Sequence, residues 1–262
     1  MDIIIFCGQS NMQGQTEQLT STEPIPNAFE YRWLKDQILP LKNPVGENIT
    51  YDKTQGDEVT EQTDLVSWLS RHVLGSSAYG HTNMVPEFCR QYTEKTGHSV
   101  LAVHAAKGST VIAEWLSGTD GYRMMTEKAA AAIKTQADDP GRIFFVWLQG
   151  ESDAIVGNSK AYYKEKLVAL ATDLKRDLGI EKFGVIRVGR FTNDQRDLEI
   201  IAAQDELCKE QDDFLMLTEI ATELCADPEY MNPFVEGHYS AKGEERLGYE
   251  AGKALAAFVN RQ

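Results

Sequence analysis

Four short stretches of this chain hold residue types that could do covalent chemistry: Gly8-Gln9-Ser10-Asn11-Met12, Lys107-Gly108-Ser109, Gln149-Gly150-Glu151-Ser152-Asp153 and Glu236-Gly237-His238-Tyr239-Ser240. A serine hydroxyl is a poor nucleophile at neutral pH and needs a base beside it, for which an imidazole is suited. The anion that forms when such a serine attacks a carbonyl then needs donors already in place, such as backbone N–H groups in glycine turns or a side-chain amide. Taken singly, Ser10 reads as a turn or cap serine and His238 as a structural hydrogen-bond partner. Only their meeting at one place would make them nucleophile and base.

The elements that would bring them together are legible. Short apolar runs alternate with helical-period segments, the pattern of a parallel sheet covered by helices on both faces. Five runs read as strands: Ile3 to Cys7, Ser99 to His104, Ile143 to Leu148, Phe183 to Val188 and Phe214 to Leu217. Each is apolar almost throughout, as buried parallel strands are. Between them, Pro86 and Gly97 bracket one helix. Tyr163, Leu167, Leu170, Leu174 and Leu178 repeat at helical spacing before Gly179, and a last helix after Ser240 carries Leu247, Ala251, Leu255 and Phe258. The expected architecture is a single α/β domain over residues 1–262, a three-layer α/β/α sandwich around a five-stranded parallel sheet, flavodoxin-like. The polar stretch from about Gln15 to Gly80 is taken as one long irregular insertion overhanging the site, with only short apolar pieces such as Leu65 to Leu69. In open parallel sheets ligands bind at the carboxyl ends of the strands, and the chemistry-bearing stretches follow those ends or precede the last helix.

Composition narrows the partners. The 262 residues are 42% hydrophobic and 25% charged with 20 Gly and 8 Pro, a globular balance. With 26 basic and 40 acidic residues the net charge is −14, so the surface field repels phosphate backbones and anionic lipid; neither nucleic acid nor a membrane is an expected partner. No apolar run approaches a membrane span and the first residues are too short a run for a signal-peptide core, which together read as a cytoplasmic protein. Cys7, Cys89, Cys208 and Cys225 are scattered and read as reduced thiols, Cys7 as packing at the end of a buried strand. His72 and His81 lack the spacing of a zinc site, and Gly8 to Gly14 fits neither a dinucleotide fingerprint nor a phosphate loop. No metal and no cofactor is expected. The sequence leaves the oligomeric state open.

These motifs, with Glu114-Trp115 after the Gly108-Ser109 turn, Trp147-Leu148 before Gln149, and Gly243 and Leu247-Gly248 beyond the histidine, resemble an SGNH-type hydrolase of the acetylxylan esterase and sialate O-acetylesterase branch, carbohydrate esterase family six. The resemblance spans most of the chain. It implies that Ser10 attacks an ester carbonyl with His238 as base, and that the oxyanion is held by the Ser10 and Gly108 N–H groups and the Gln149 side-chain amide. It implies an acetylated carbohydrate as substrate, either an acetylated xylo-oligosaccharide or an O-acetylated sialic acid.

The family's usual Asp three residues before the histidine is replaced here by Val235. Glu236 is the nearest carboxylate and the expected acid. The alternatives are a Ser-His dyad whose imidazole is held by a backbone carbonyl, or Asp227 or Glu151 as the acid. Asn11 and Glu151 are candidates for substrate binding or support of the site, and Glu151 and Asp153 for holding neighbouring loops in place. Trp115 and Trp147 stand as either core or sugar-stacking faces. The serine and histidine speak against a carboxylate-pair glycosidase. The competing class is a noncatalytic carbohydrate-binding protein on a decayed esterase fold.

Overall fold

The computed structural model describes residues 1–47, 82–138 and 141–262. Among these residues seven strands form one sheet: β1 (Asp2–Gly8), β2 (Ala28–Arg32), β3 (Gln37–Pro40), β4 (Val100–His104), β5 (Ile143–Leu148), β6 (Lys182–Ile186) and β7 (Phe214–Thr218). Their order is β3-β2-β4-β1-β5-β6-β7. All neighbours are parallel except β2 and β3, which are antiparallel. The five expected strands are present within two residues of their expected ends, and the sheet is larger than expected by β2 and β3.

Those two strands lie inside the stretch read as an irregular insertion, and their composition explains the difference. β2 buries Glu30 and Arg32, 2% and 6% exposed, which hides its apolar character; β3 is exposed at every position. The two buried charges pair with each other, Arg32 Nη2 to Glu30 Oε2 at 2.9 Å. Beside them Lys128 pairs with the Glu47 carboxylate, which also accepts the Trp33 and Leu34 N–H groups. Leu65 to Leu69, His72, His81 and the rest of 48–81 lie outside the described residues.

The helices are α1 (Ser10–Gln13), α2 (Val85–Thr96), α3 (Asp120–Lys134), α4 (Glu151–Val156), α5 (Lys160–Leu178), α6 (Gln195–Glu210), α7 (Ala221–Leu224) and α8 (Ala241–Val259). α2 and α8 pack on each other against one face of the sheet, and α3, α5 and α6 pack in a row on the other. Serine caps fix two of their starts: Ser159 Oγ accepts from the Tyr162 N–H, and Ser240 Oγ, at the start expected for the last helix, from the Gly243 N–H. The core runs through both layers and includes Trp115 and Trp147, 1% and 0% exposed and meeting edge to face at 6.0 Å. Neither tryptophan can offer a face to a sugar. No described helix is long and apolar enough to cross a membrane.

β1 lies at the centre, flanked by β4 and β5, so the chain leaves it to build one side of the sheet and later returns to build the other. The crevice at the carboxyl end of β1 is therefore where strand order reverses.

Candidate active site

The turn that follows β1 is set by its neighbours. Gly8 adopts φ +149°, and a Cβ there would lie 2.0 Å from the Leu148 carbonyl oxygen, so only glycine allows β1 to end this close to β5. The Gly8 carbonyl accepts from the Lys107 N–H at 3.0 Å and the Gln9 N–H donates to Leu148 O at 3.1 Å. Gln9 Oε1 accepts in turn from the Ser152 N–H at 3.1 Å. Ser10, 6% exposed, thus opens α1 between the loops that leave β4 and β5. Its own N–H, at the first position of a helix, has no acceptor within that helix.

Gly108 is beside the serine: a Cβ on it would lie 3.4 Å from Ser10 Cβ. Its N–H is occupied, donating to Gln13 Oε1 at 2.9 Å. Gln149 is fully buried, and its amide donates to the Thr110 carbonyl at 2.9 Å and to Asp153 Oδ2 at 2.6 Å. Both hydrogens of that amide are committed, so Gln149 as placed supports the 107–111 loop rather than pointing a donor at the serine. Of the three expected oxyanion donors, the Ser10 N–H is the one not engaged by these contacts. Asp153 gathers the surrounding loops by also accepting from the Ile112 N–H and Asn158 Nδ2.

His238 lies on a turn folded around Asn232. Asn232 Oδ1 accepts from the Phe234 and Val235 N–H groups at 2.8 and 3.2 Å, and Asn232 Nδ2 donates to Gln15 O at 2.7 Å. The turn closes by Asn232 N–H to His238 O at 2.8 Å and His238 N–H to Val235 O at 3.3 Å. Gly237 at φ +74° finishes it, with the Phe191 ring so close that a Cβ would fall 1.9 Å from it. Phe191 meets the imidazole edge to face at 6.4 Å.

This tight turn corrects the expectation for Glu236. The Glu236 carboxylate is on an exposed side chain, and it is the Glu236 backbone carbonyl that sits 2.9 Å from His238 Nδ1. Val235, at the position of the usual acid, contributes only backbone groups to the turn, its N–H to Asn232 Oδ1 and its carbonyl to the His238 N–H. With no carboxylate on the ring, burial dominates and holds the His238 pKa below its ordinary 6.5, the carbonyl bond opposing in part. Asp227 is used elsewhere, as the cap of the 3-10 turn Pro228–Tyr230.

Asn11 joins the serine to the histidine. Its Nδ2 donates to Glu151 Oε1 at 2.8 Å and to Gly237 O at 3.2 Å, and its Oδ1 accepts from the Tyr239 N–H at 3.3 Å. The turn bearing His238 is thereby fastened to the residue after Ser10. Among the described residues Ser10 Oγ and the imidazole share no direct hydrogen bond; such contacts are often loose until substrate is bound. Cys7, buried behind them, has its thiol pKa pushed well up by burial, so it stays protonated. Among the described residues, no group of three or more His, Cys, Asp or Glu is placed to hold a metal ion.

Three contributors lay outside the sequence reading: Gln13, Asn232 and Phe191. Asn232-Pro233 carried a signal, since Asn before Pro favours turn initiation, whereas nothing marked Gln13 or Phe191.

Comparison with known proteins places this geometry in context. The profile of the carbohydrate esterase, sialic acid-specific acetylesterase family (SASA) matches residues 1–257. The probable carbohydrate esterase At4g34215 of Arabidopsis thaliana is 23% identical over 186 residues, 71% of this chain and 67% of that protein. The X-ray structure of At4g34215 superposes with a TM-score of 0.64 at 17% identity, covering 98% of each chain. XAC1771, a carbohydrate acetylesterase from Xanthomonas citri, superposes with a TM-score of 0.52 at 14% identity over 98% of this chain and 55% of that one.

Proposed function

Because the chain belongs to the sialic acid-specific acetylesterase family of carbohydrate esterases, we propose that it is a serine esterase that removes O-acetyl groups from a carbohydrate through an acyl-enzyme. Ser10 Oγ attacks the acetyl carbonyl as His238 Nε2 takes its proton. The ring can accept there because its other nitrogen, as Nδ1–H, donates to the Glu236 carbonyl, which fixes the tautomer. The carbonyl oxygen of the substrate becomes an oxyanion against the Ser10 N–H, and against the Gly108 N–H once Gln13 Oε1 gives way. The imidazolium returns its proton to the departing sugar hydroxyl, leaving acetyl-Ser10. Water, deprotonated by His238, then releases acetate and restores the serine.

The observation that carries this reading is the attachment of both backbone groups flanking His238 to the residue next to Ser10. It fastens the backbone on both sides of the histidine to the residue that follows the serine. The substrate is an acetylated carbohydrate, an acetylated xylo-oligosaccharide or an O-acetylated sialic acid; the family description supports the acetylated carbohydrate and names sialic acid.

The test is the initial rate of p-nitrophenyl acetate hydrolysis by wild type and by Ser10→Ala, with chelator present, followed by acetate release from each of the two sugars. Loss of turnover in the variant is the expected result. The engaged donors favour one other reading, a carbohydrate-binding protein without turnover; sugar binding undiminished in Ser10→Ala, with wild type at background rate, would establish it.

A further inference from the structure

Asn11 is 2% exposed and every polar atom of its side chain is used. Gly237 O and the Tyr239 N–H, which it bonds at 3.2 and 3.3 Å, belong to the residues on either side of His238. One amide therefore clamps the backbone before and after the imidazole. The clamp has a direction. The NH2 end must face Gly237 O and the carbonyl end must face the Tyr239 N–H; the flipped amide would set donor against donor and acceptor against acceptor.

Glu151 reads that direction. It is the first residue of α4, 3% exposed, and its Oε1 accepts from Asn11 Nδ2 at 2.8 Å, while among the described residues its buried Oε2 meets no hydrogen-bond partner. An acceptor at this position admits only the NH2 end of Asn11. The groups that face this carboxyl are Asp153 on the same helix, Glu244 from α8, Tyr163 from α5 and Tyr239 from the histidine turn. Burial, with these acids and phenols around it, pushes the Glu151 pKa above its ordinary value, against the hydrogen bonds from Asn11 and from the Glu151 and Gly150 backbone.

We propose that Asn11 and Glu151 are positioning residues: Glu151 fixes the orientation of the Asn11 amide, and that amide holds His238 in register with Ser10 by gripping the backbone on both sides of it. The kinetic consequences rest on the esterase reading; the grip itself does not.

The experiment uses Asn11→Ala, Asn11→Asp, Glu151→Gln and Glu151→Ala. It measures kcat and KM for p-nitrophenyl acetate from about pH 5 to 9, the melting temperature, and the titration of the His238 ring by NMR. Asn11→Ala should lower kcat by about 10²-fold, the cost of misplacing a catalytic group by an ångström, with KM nearly unchanged. Its His238 titration should move up toward the ordinary value as the turn opens to water. Glu151→Gln, whose amide oxygen still accepts from Asn11, should rescue most of what Glu151→Ala loses. Asn11→Asp puts two carboxyls in contact that must share a proton, so its rate should fall on the alkaline side where wild type stays level.

A wild-type kcat together with an unmoved His238 titration in Asn11→Ala overturns the proposal, as does a Glu151→Gln no better than Glu151→Ala. If Asn11→Ala fails to fold, the alkaline fall in Asn11→Asp and the glutamine rescue decide. If wild type has no Ser10-dependent hydrolysis, the esterase reading fails separately. The His238 titrations in Asn11→Asp and Glu151→Ala then decide on the grip alone: displaced titrations sustain it, and unmoved ones overturn it.

Discussion

Replacing Glu236 separates a carboxylate that orients the histidine from a main-chain carbonyl that does so. In a serine hydrolase whose acid holds the imidazole, removing that acid's charge costs about 10⁴-fold in kcat, or about 5.5 kcal/mol. Here Nδ1 is met at 2.9 Å by the Glu236 carbonyl, and the Glu236 side chain is in solvent. Glu236→Gln leaves that carbonyl in place. An exposed substitution of this kind changes energies by about 0.5 kcal/mol, worth roughly a twofold change in rate. Loss of one solvent-screened charge near the imidazolium adds at most about 1 kcal/mol. The expected kcat for p-nitrophenyl acetate is therefore within about tenfold of wild type. The pH profile gives a second reading of the same question. His238 must be neutral to accept a proton, so activity falls as pH drops through its pKa, and burial holds that pKa below 6.5. The acid limb should have its midpoint below 6.5 in wild type and in Glu236→Gln alike. A loss of more than about 100-fold, or a wild-type midpoint above 6.5 that falls in the variant, would refute the reasoning.

Two other substitutions have expected outcomes, one in rate and one in stability. Gln13→Ala frees the Gly108 N–H from an internal acceptor at 2.9 Å; with a net hydrogen bond worth about 0.5–1.5 kcal/mol, kcat/KM for p-nitrophenyl acetate should rise by about 2- to 10-fold, and an unchanged or lower value would show that Gln13 is no competitor of the substrate. Glu244 is fully buried, among the described residues no side chain pairs with its carboxylate, and burial raises its pKa well above 4.5, the Met84 backbone opposing in part. A carboxyl whose folded pKa is raised binds its proton more tightly in the native state, so it costs stability progressively as pH rises above the unfolded value. Glu244→Gln should therefore melt higher than wild type at pH 8, with the difference shrinking toward pH 4; equal melting curves at both pH values would contradict this.

How much of this was legible in the sequence follows from where charge and backbone carry the structure. The five apolar strands were readable because they are buried on both faces, as Ile3 to Cys7 are. β2 was not, because Glu30 and Arg32 are buried as a pair and look like surface residues when read singly. β3 was not, because a fully exposed edge strand has no inward face to show. Ser10, Gly108, Gln149 and His238 were singled out by motif, and the structure gathers the loops that bear them. It does not leave Gln149 free, since its partners Thr110 and Asp153 come from two different segments that no local pattern relates. The partner of Nδ1 could not be named from side chains at all, because a main-chain carbonyl has the same chemistry under every residue type.

That last feature changes what mutation can do to the site. An orienting group written in the main chain cannot be deleted by a codon change at its own position, so residue 236 is free to vary with the demands of surface charge. The constraint moves to the residues that shape the turn: Asn232, whose side chain organises it, and Gly237, where any side chain would collide with Phe191. A search that requires a carboxylate three residues before the histidine would pass over a ring whose Nδ1 is met by a main-chain carbonyl.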